Sequence, residues 1–472
     1  MENQIFLTYR GEIVNKRIDA YYYQPKFKTT DKALKNAQFD VVNLGALIND
    51  ISSGATPKVD ENYYTDASGI PFLRVQNVTD EGIDLSDVKF IKRDVHNSML
   101  KRSQLKKDDL VFTITGRIGS VAVVSDNFEG NINQHSVRFQ LETQITNIAI
   151  NPRYVAIFLN LALGQSLSLR EVTGGTRPAL DYKALYSLKT ILPPTNIQNH
   201  IVSIMRSAYA QKKQKQQDAD ALLDSIGDYV LKELGIEMPE VEKEKCFVVY
   251  ASETSGFRTD PFYYQNHYKA IQNILSESRN VKRLGELLQL VDSGSRPKGG
   301  VANIQSGVLS FGGEHINNQC EVVLNTPRYV PHEFHSLHKT TETQLNDLLL
   351  VKDGATTGKI GIVSDTAHVG QNINEHLFIL RTKADVNPIY LLNYLNSRFG
   401  KLQIQREITG ATVTGITREV VKRLKIILPD IGKQTVIANH ITEIRSNAKQ
   451  LQQEADAIVE EAKERVEGML LQ

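Results

Sequence analysis

The stretch Arg17-Ile18-Asp19-Ala20-Tyr21-Tyr22-Tyr23-Gln24 returns 241 positions later as Arg258-Thr259-Asp260-Pro261-Phe262-Tyr263-Tyr264-Gln265. The echo continues outward from there. Leu44-Gly45, Ser53-Gly54 and Pro57 come back as Leu284-Gly285, Ser293-Gly294 and Pro297. Asn131-Ile132-Asn133-Gln134-His135 comes back as Asn372-Ile373-Asn374-Glu375-His376, and Ile191-Leu192-Pro193-Pro194 as Ile427-Leu428-Pro429-Asp430, at an offset of 236. Between these anchors the two copies diverge widely. Solenoid units run to about 20–50 residues, so this period is something else. It is the tandem duplication of a whole module, which predicts two similar but non-identical binding faces.

At about 150 residues per domain, a length prior alone would divide the chain into about three. The repeat argues instead for two halves of the 472 residues, each large enough to bury its own core. Hydrophobic residues make up 41% and charged residues 23%, an ordinary globular balance. Cys246 and Cys320 stand apart, with no Cys-x-x-Cys pair, which argues against a disulfide framework or a thiolate zinc site and fits a reducing compartment. No apolar run approaches the ~18 residues of a membrane span, and the first residues lack a signal-peptide pattern. The expectation is a soluble, cytoplasmic chain. A net charge of +1 neither supports nor excludes a nucleic-acid partner, but it argues against non-specific coating of one.

Each half reads as three parts. A short segment ends in the Tyr-rich stretch. A strand-rich part follows, with β-branched runs such as Leu110-Val111-Phe112-Thr113-Ile114, Val121-Ala122-Val123-Val124 and Ile360-Gly361-Ile362-Val363 between turn signals. Asn151-Pro152 and Asn387-Pro388 introduce helical patterns, Tyr154 to Leu163 and Tyr390 to Phe399. The third part is a long helix. Ile437, Ile441, Ile444, Ala448, Leu451, Ala455, Ile458, Ala462 and Met469 recur as a heptad seam, predicting a coiled coil. Ile201, Met205, Ala208, Ala219, Leu222 and Ile226 keep the period in the earlier copy, where Lys212 and Lys215 occupy seam positions in a polar middle. Those lysines are expected on a solvated face, or else against a partner or a DNA backbone. The predicted fold is α+β: two tandem α/β domains, each followed by a long helix, the helices forming an antiparallel intramolecular coiled coil. The boundaries are 1–43 for an N-terminal segment on the helical region, 44–195 for the first domain and 196–236 for its helix. Residues 237–283 form a linker and the repeated N-terminal segment, 284–431 the second domain and 432–472 its helix.

The order of these motifs resembles the specificity subunit of type I restriction–modification systems, over nearly the whole chain. The resemblance rests on Leu44-Gly45 with Ser53-Gly54-Ala55-Thr56-Pro57, on Phe72-Leu73-Arg74-Val75-Gln76-Asn77, and on Asp109-Leu110-Val111-Phe112-Thr113-Ile114-Thr115-Gly116. Asn133-Gln134-His135, Gly174-Gly175-Thr176-Arg177-Pro178-Ala179-Leu180, the Ile191-Leu192-Pro193-Pro194 run and Gln198 complete it. In the second copy Gly410-Ala411-Thr412-Val413-Thr414-Gly415-Ile416 replaces the Arg-Pro loop, a departure from the pattern. The resemblance implies a subunit without an active site. Its two target-recognition domains would each read one half of a bipartite, asymmetric DNA site, with the helices setting the gap. It also implies two adenine methyltransferase (modification) subunits as partners, with optional restriction motor subunits. S-adenosylmethionine, and ATP with Mg where a motor-nuclease is present, would then belong to those partners and no cofactor to this chain. Half-sites on one face of B-DNA lie about one turn, ~34 Å, apart.

Several strings mimic enzymes and fail on spacing. Asp260-Pro261-Phe262-Tyr263 lacks the second proline of an amino-methyltransferase motif, and its repeat Asp19-Ala20-Tyr21-Tyr22 has none. Gly354-Ala355-Thr356-Thr357-Gly358-Lys359 is one residue short of a phosphate loop and is followed by Ile360, so it reads as a glycine turn between strands. His332, His335 and His338 stand at i, i+3 and i+6, not the i, i+4 of a zinc helix, and are expected in a surface loop. His135 and His376 read as hydrogen-bonded structural histidines in polar turns with no acid pattern beside them.

Base-edge readers are Arg, Lys, Asn and Gln on loops held by a rigid scaffold. The candidates are Lys58, Arg74, Gln76, Asn77, Arg117 and Arg177 in the first copy, and Arg296, Lys298, Lys352, Lys359 and Arg418 in the second. The Tyr-rich stretches read as packing or partner-docking surfaces. Two alternatives stay open: the specificity partner of a methyltransferase-only or type II-like system, and, in a different class, a coiled-coil protein-interaction adaptor.

Overall fold

The duplicated stretch folds the same way twice. Asp19 accepts the backbone N–H of Tyr22 at 3.1 Å and closes the turn Ala20–Tyr23; Asp260 does the same for Tyr263 at 3.2 Å before Pro261–Tyr264. Each turn leads into a helix, Pro25–Lys35 and Asn266–Glu277. The Tyr22 ring lies between the guanidinium groups of Arg17 and Arg170, at 4.4 and 4.2 Å, and Tyr263 lies between Arg258 and Arg406 at 5.1 and 3.8 Å. Tyr22, Tyr23 and Tyr264 are buried, so most of the Tyr-rich stretch is packing surface; Tyr21 and Phe262 stay exposed.

The computed structural model describes residues 17, 19–58, 62–174, 178–240, 246–254, 258–410 and 414–471. They form two compact units, one of residues up to Lys215 together with Gln453 onward, the other Gln216–Gln452.

In the first unit an antiparallel sheet has the order Ile48–Ser53, Ser136–Leu141, Leu110–Thr113, Val121–Val123. A second sheet has the order Asn131–Ile132, Ile70–Leu73, Lys89–Ile91, Tyr64–Thr65, its first pair parallel. Asp40–Asn43 pairs with Lys189–Leu192 and ties the domain's beginning to its end. The expected helical run is two helices, Pro152–Asn160 and Ala162–Arg170, broken where Leu161 turns extended at ψ 161°. Asn151 caps the first and Pro152 opens it, where a missing N–H costs nothing.

The second unit repeats this plan. Its sheet order is Leu288–Ser293, Leu377–Thr382, Leu348–Val351, Ile360–Ile362, beside Tyr329–Val330, Val308–Phe311, Asn372–Ile373 and the pair Val281–Arg283 with Lys425–Ile427. Its helices are Pro388–Asn396 and Arg398–Glu407, broken at Ser397.

The long helices are Thr195–Glu233 and Ile431–Leu471. They run antiparallel. In the first unit Lys212 meets Asp456 at 3.3 Å and Lys215 meets Glu454 at 2.6 Å; in the second, Tyr229 packs on His440 and Lys433 pairs with Glu233. Both helices enter each unit's core. Ile201, Met205, Val459, Val466 and Leu470 pack with Phe112, Phe139, Tyr154 and Phe158, while Ile226, Val230, Ile437 and Ile441 pack with Leu350, Phe378, Tyr390 and Phe399.

Two sequence expectations are corrected here. The seam does not hold its heptad to the end: after Ala455 the buried residues are Val459, Ala462, Val466 and Leu470, not Ile458 and Met469. A helix packed on a globular domain follows the 3.6-residue turn, whereas the heptad belongs to helix-on-helix contact. Lys212 and Lys215 form neither a bare solvated face nor a free DNA-binding one, because both are ion-paired within the chain.

Among the described residues no helix is long and apolar enough to cross a membrane.

Candidate nucleic-acid interface

In each unit the strand ends gather loops from distant parts of the sequence. In the first, Ser53 pairs with Val137 and Thr113 with Ser136, so the residues after Ser53 and Thr113 leave the sheet at the end where His135 enters it. Ile114 N–H donates to the His135 carbonyl at 2.9 Å, and Leu180 N–H to the Ile114 carbonyl at 2.9 Å. The second unit copies this: Ser293 pairs with Phe378, Val351 with Leu377, Lys352 N–H donates to His376 O at 2.9 Å, and Ile416 N–H to Lys352 O at 2.8 Å. Gly54 and Gly294 make the close approach possible. A Cβ at either would lie inside contact distance of a backbone carbonyl, that of Ile132 or of Ile373.

On this shared scaffold the side chains differ. In the first unit His135 Nδ1 shares a hydrogen bond of 2.5 Å with the Thr115 hydroxyl, and Thr56 donates to the Gln134 side-chain carbonyl. In the second, His376 Nδ1 meets the Asp353 carboxylate, and its Nε2 lies 3.2 Å from Glu375. The expectation that no acid accompanies these histidines therefore fails for His376. Thr115 and Asp353 hold corresponding places, as do Gln134 and Glu375, so one edge is neutral where the other is acidic.

Most of the sequence-predicted contact residues reach these edges. Lys58 is exposed in the loop after Ser53. Arg117 is exposed in the turn between Gly116 (φ +71°) and Gly119 (φ +95°) and lines a shallow cleft with residues 79–84. Arg74 Nη2 is held by Asp87, at 2.7 Å from its carbonyl oxygen and 3.1 Å from its carboxylate, and Gln76 donates to the same carboxylate. Asn77 is a correction. It is fully buried, its Nδ2 donating to the Asp84 and Asp87 carbonyls and its Oδ1 accepting Arg74 N–H, so it builds the turn and cannot reach a base. Arg177 lies outside the described residues.

In the second unit Arg296 pairs with Glu375 at 2.6 Å, Arg418 with Asp292 at 3.1 Å, and Lys352 donates to Ser293 Oγ at 3.0 Å. Lys298 is exposed beside Gly299 and Gly300, both at positive φ, and forms no ion pair among the described residues. Lys359 precedes Ile360, whose pairing with Leu350 brings it to the same sheet end. Residues beside these that the sequence did not single out as contacts are Thr56, Thr115 and Gln134 in the first unit and Asp292, Asp353 and Glu375 in the second. The signal was present in the Asn131–His135 repeat block, where Gln134 changes to Glu375 beside a constant histidine.

The enzymatic mimics resolve structurally. Gly354 and Gly358, both at positive φ, make a turn between Leu348–Val351 and Ile360–Ile362. His335 is not in a surface loop: it lies buried on the helix His332–Ser336, where burial pushes its pKa below the usual histidine value. Among the described residues no three His, Cys, Asp or Glu side chains are placed to hold a metal ion.

Each unit is an α+β module packed on two antiparallel helices with one loop-bearing sheet end, the build of a duplicated two-domain protein. The type I restriction modification DNA specificity domain matches residues 36–221 and 277–459, and the chain belongs to that family. The EcoBI specificity subunit of Escherichia coli is 29% identical over 150 residues, an alignment spanning 31% of each chain. The putative MjaX specificity subunit of Methanocaldococcus jannaschii is 22% identical over 462 residues, 96% of this chain and 97% of its own. A chain from a structure on complex assembly and conformational transition of the type I R-M system is 14% identical, with TM-score 0.48, covering 92% of this chain and 96% of its own. The type I S subunit of M. genitalium is 12% identical with TM-score 0.39, over 92% and 96%.

Proposed function

We propose that this chain is the non-catalytic specificity subunit of a type I restriction–modification complex, each unit reading one half of a bipartite, asymmetric DNA site. The observation that carries this reading is the pair of sheet ends, which share the backbone hydrogen bonds described above and differ in side chains. Thr115, Gln134 and Arg117 on one edge and Asp353, Lys298 and Arg296, the last held by the buried Glu375 carboxylate, on the other offer different donor and acceptor patterns to a major groove. Backbone identity fixes how each edge is presented; side-chain difference fixes what each reads. The antiparallel helices set the gap and present surface for two adenine methyltransferase subunits. S-adenosylmethionine belongs to those subunits, and ATP with Mg to any motor-nuclease that joins them.

The test is adenine-methylation sequencing in cells expressing this chain with its methyltransferase partner, against cells lacking the chain. A methylated motif split by a fixed run of unspecified bases, and lost with the chain, is the expected result. Unchanged methylation with both proteins present would refute the reading and favour the protein-interaction adaptor.

A further inference from the structure

Among the described residues the ion pairs of Lys212 and Lys463 have no counterpart in the second unit, and they join three elements at one point. The tight turn between Val78–Thr79 and Gly82–Ile83 carries Asp80 and Glu81 at its tip. Asp80 Oδ2 lies 2.9 Å from Lys463 Nζ on the second long helix, and Glu81 Oε1 lies 2.7 Å from Lys212 Nζ on the first. Each lysine is also paired on the helices themselves, Lys212 with Asp456 at 3.3 Å and Lys463 with Glu460 at 3.0 Å. The lysine side chains are only 18% and 19% exposed, so salt screens these contacts less than it screens surface pairs. Burial pushes the Asp80 carboxyl upward, but the hydrogen bond and charge of Lys463 outweigh it and hold it below the usual range.

The turn is also part of the reading edge. Arg74 and Gln76 lie just before its hairpin, Asp87 four residues after it holds both side chains, and Arg117 lines the cleft beside Asp80, Glu81 and Asp84. Movement of the turn on the helices would therefore carry candidate base readers with it. In the second unit the turn after Ile316 is held to the helices by different chemistry: Arg445 donates to the Gln319 carbonyl and, at 3.2 Å, to Asn393 Oδ1, while the Glu321 carboxylate stays within the turn, accepting Asn317 Nδ2 at 3.2 Å.

We propose that Asp80 and Glu81, clamped to Lys463 and Lys212, are positioning residues that set the angle of the first recognition domain on its helices, and thereby the gap at which paired half-sites are accepted. This rests on the DNA-specificity reading above. A charge clamp joining a reading head to both helices fixes orientation without touching a base.

The test uses the full chain with its methyltransferase partner on a randomised duplex library, read by adenine-methylation sequencing. Wild type is expected to give one bipartite motif at one gap. D80K/E81K and, separately, K212E/K463E are expected to lower methylation at that gap at least tenfold and to raise the relative share of neighbouring gaps, with the bases of both half-sites unchanged. The combined four-fold reversal is expected to recover methylation at the wild-type gap in part, since positions 212 and 463 then face Asp456 and Glu460 as like charges. D80N/E81Q, which leaves no like charges facing each other, is expected to shift the profile in the same direction and guards against a misfolded reversal. An unchanged gap profile in D80N/E81Q and the reversals, or loss at all gaps alike without restoration in the combined variant, overturns the proposal. A wild-type chain giving no bipartite motif would instead sink the functional reading on which it rests.

Discussion

The side-chain carbonyl of Gln198 accepts the backbone N–H of Asn151 at 2.8 Å, while its Nε2 donates to the carbonyls of Pro193 at 2.9 Å and Ala149 at 3.2 Å. One amide thus fastens the start of the long helix to the domain before it. Gln434 repeats the arrangement with Asn387 N–H at 2.9 Å and Pro429 O at 2.9 Å, and both glutamines are buried. Gln198→Ala leaves the Asn151 N–H and the buried Pro193 carbonyl without their partner, whereas the exposed Ala149 carbonyl keeps the Thr195 hydroxyl at 3.1 Å. An unsatisfied buried group costs about 1–3 kcal/mol, so urea unfolding of the full chain should show a clearly lower midpoint for the transition of the first unit. An unshifted midpoint would mean that the glutamine is not the fastening.

How much of this was legible in the sequence divides by distance along the chain. The duplication, the Asn-Pro helix starts, the two antiparallel long helices and the glycine turn at Gly354 depend on local pattern or on comparing the copies, and each is present. Lys212 and Lys463 were illegible as clamps because Asp80 and Glu81 lie far away in sequence, and a lysine in a polar run gives no sign of its partner. Asn77 has the composition of a base reader, yet its neighbours fold back to consume its amide. His335 lies in a polar string, but its short helix turns that one side chain inward. The drift from Ile458 to Val459 reflects what the helix packs against, which a periodicity does not contain.

Glycine at positions 54 and 294 is required by the carbonyls of Ile132 and Ile373 that lie against it. Gly54→Ala or Gly294→Ala should cost about 1–3 kcal/mol through the overpacked contact. Each should also impair one half-site alone, Gly54→Ala the one read by the first unit. Methylation sequencing separates the arms: relaxed bases in both half-sites for a single variant would contradict the independence of the two edges.

Asp19 is held below the ordinary carboxylate range, first by its hydrogen bond from Arg17, and Asp260 likewise by Arg258. A depressed folded-state value contributes stability above the unfolded value, about 3.9, and loses it as pH falls through the folded one. Asp19→Asn keeps a side-chain acceptor for Tyr22 N–H but removes the charge. Both carboxylates are nearly half exposed, so the effect is small. Thermal unfolding from pH 7 to pH 3 should show a lower Tm for Asp19→Asn at pH 7 and convergence with wild type at the acid end. A difference that stays constant with pH would assign the effect to packing of the Arg17–Tyr22–Arg170 stack instead.

Lys298 and Arg296 sit two residues apart on one loop, yet among the described residues only Arg296 of the two is ion-paired, with Glu375. If both approach the duplex, their contributions should differ in kind. Lys298→Ala removes one counterion-releasing contact, so the slope of log Kobs against log salt for duplex DNA should fall in magnitude by about 0.9, with the base preference of the second half-site kept. Glu375→Gln frees Arg296 and removes a negative charge from the edge. It should strengthen binding to random duplex at low salt while relaxing the second half-site, because the exposed Arg296 guanidinium is then no longer aimed by a buried carboxylate. The first half-site should be untouched by either change. Equal losses at both half-sites from Lys298→Ala, or tighter binding from Glu375→Gln without any change in base preference, would remove this loop from the reading edge and leave it as electrostatic background.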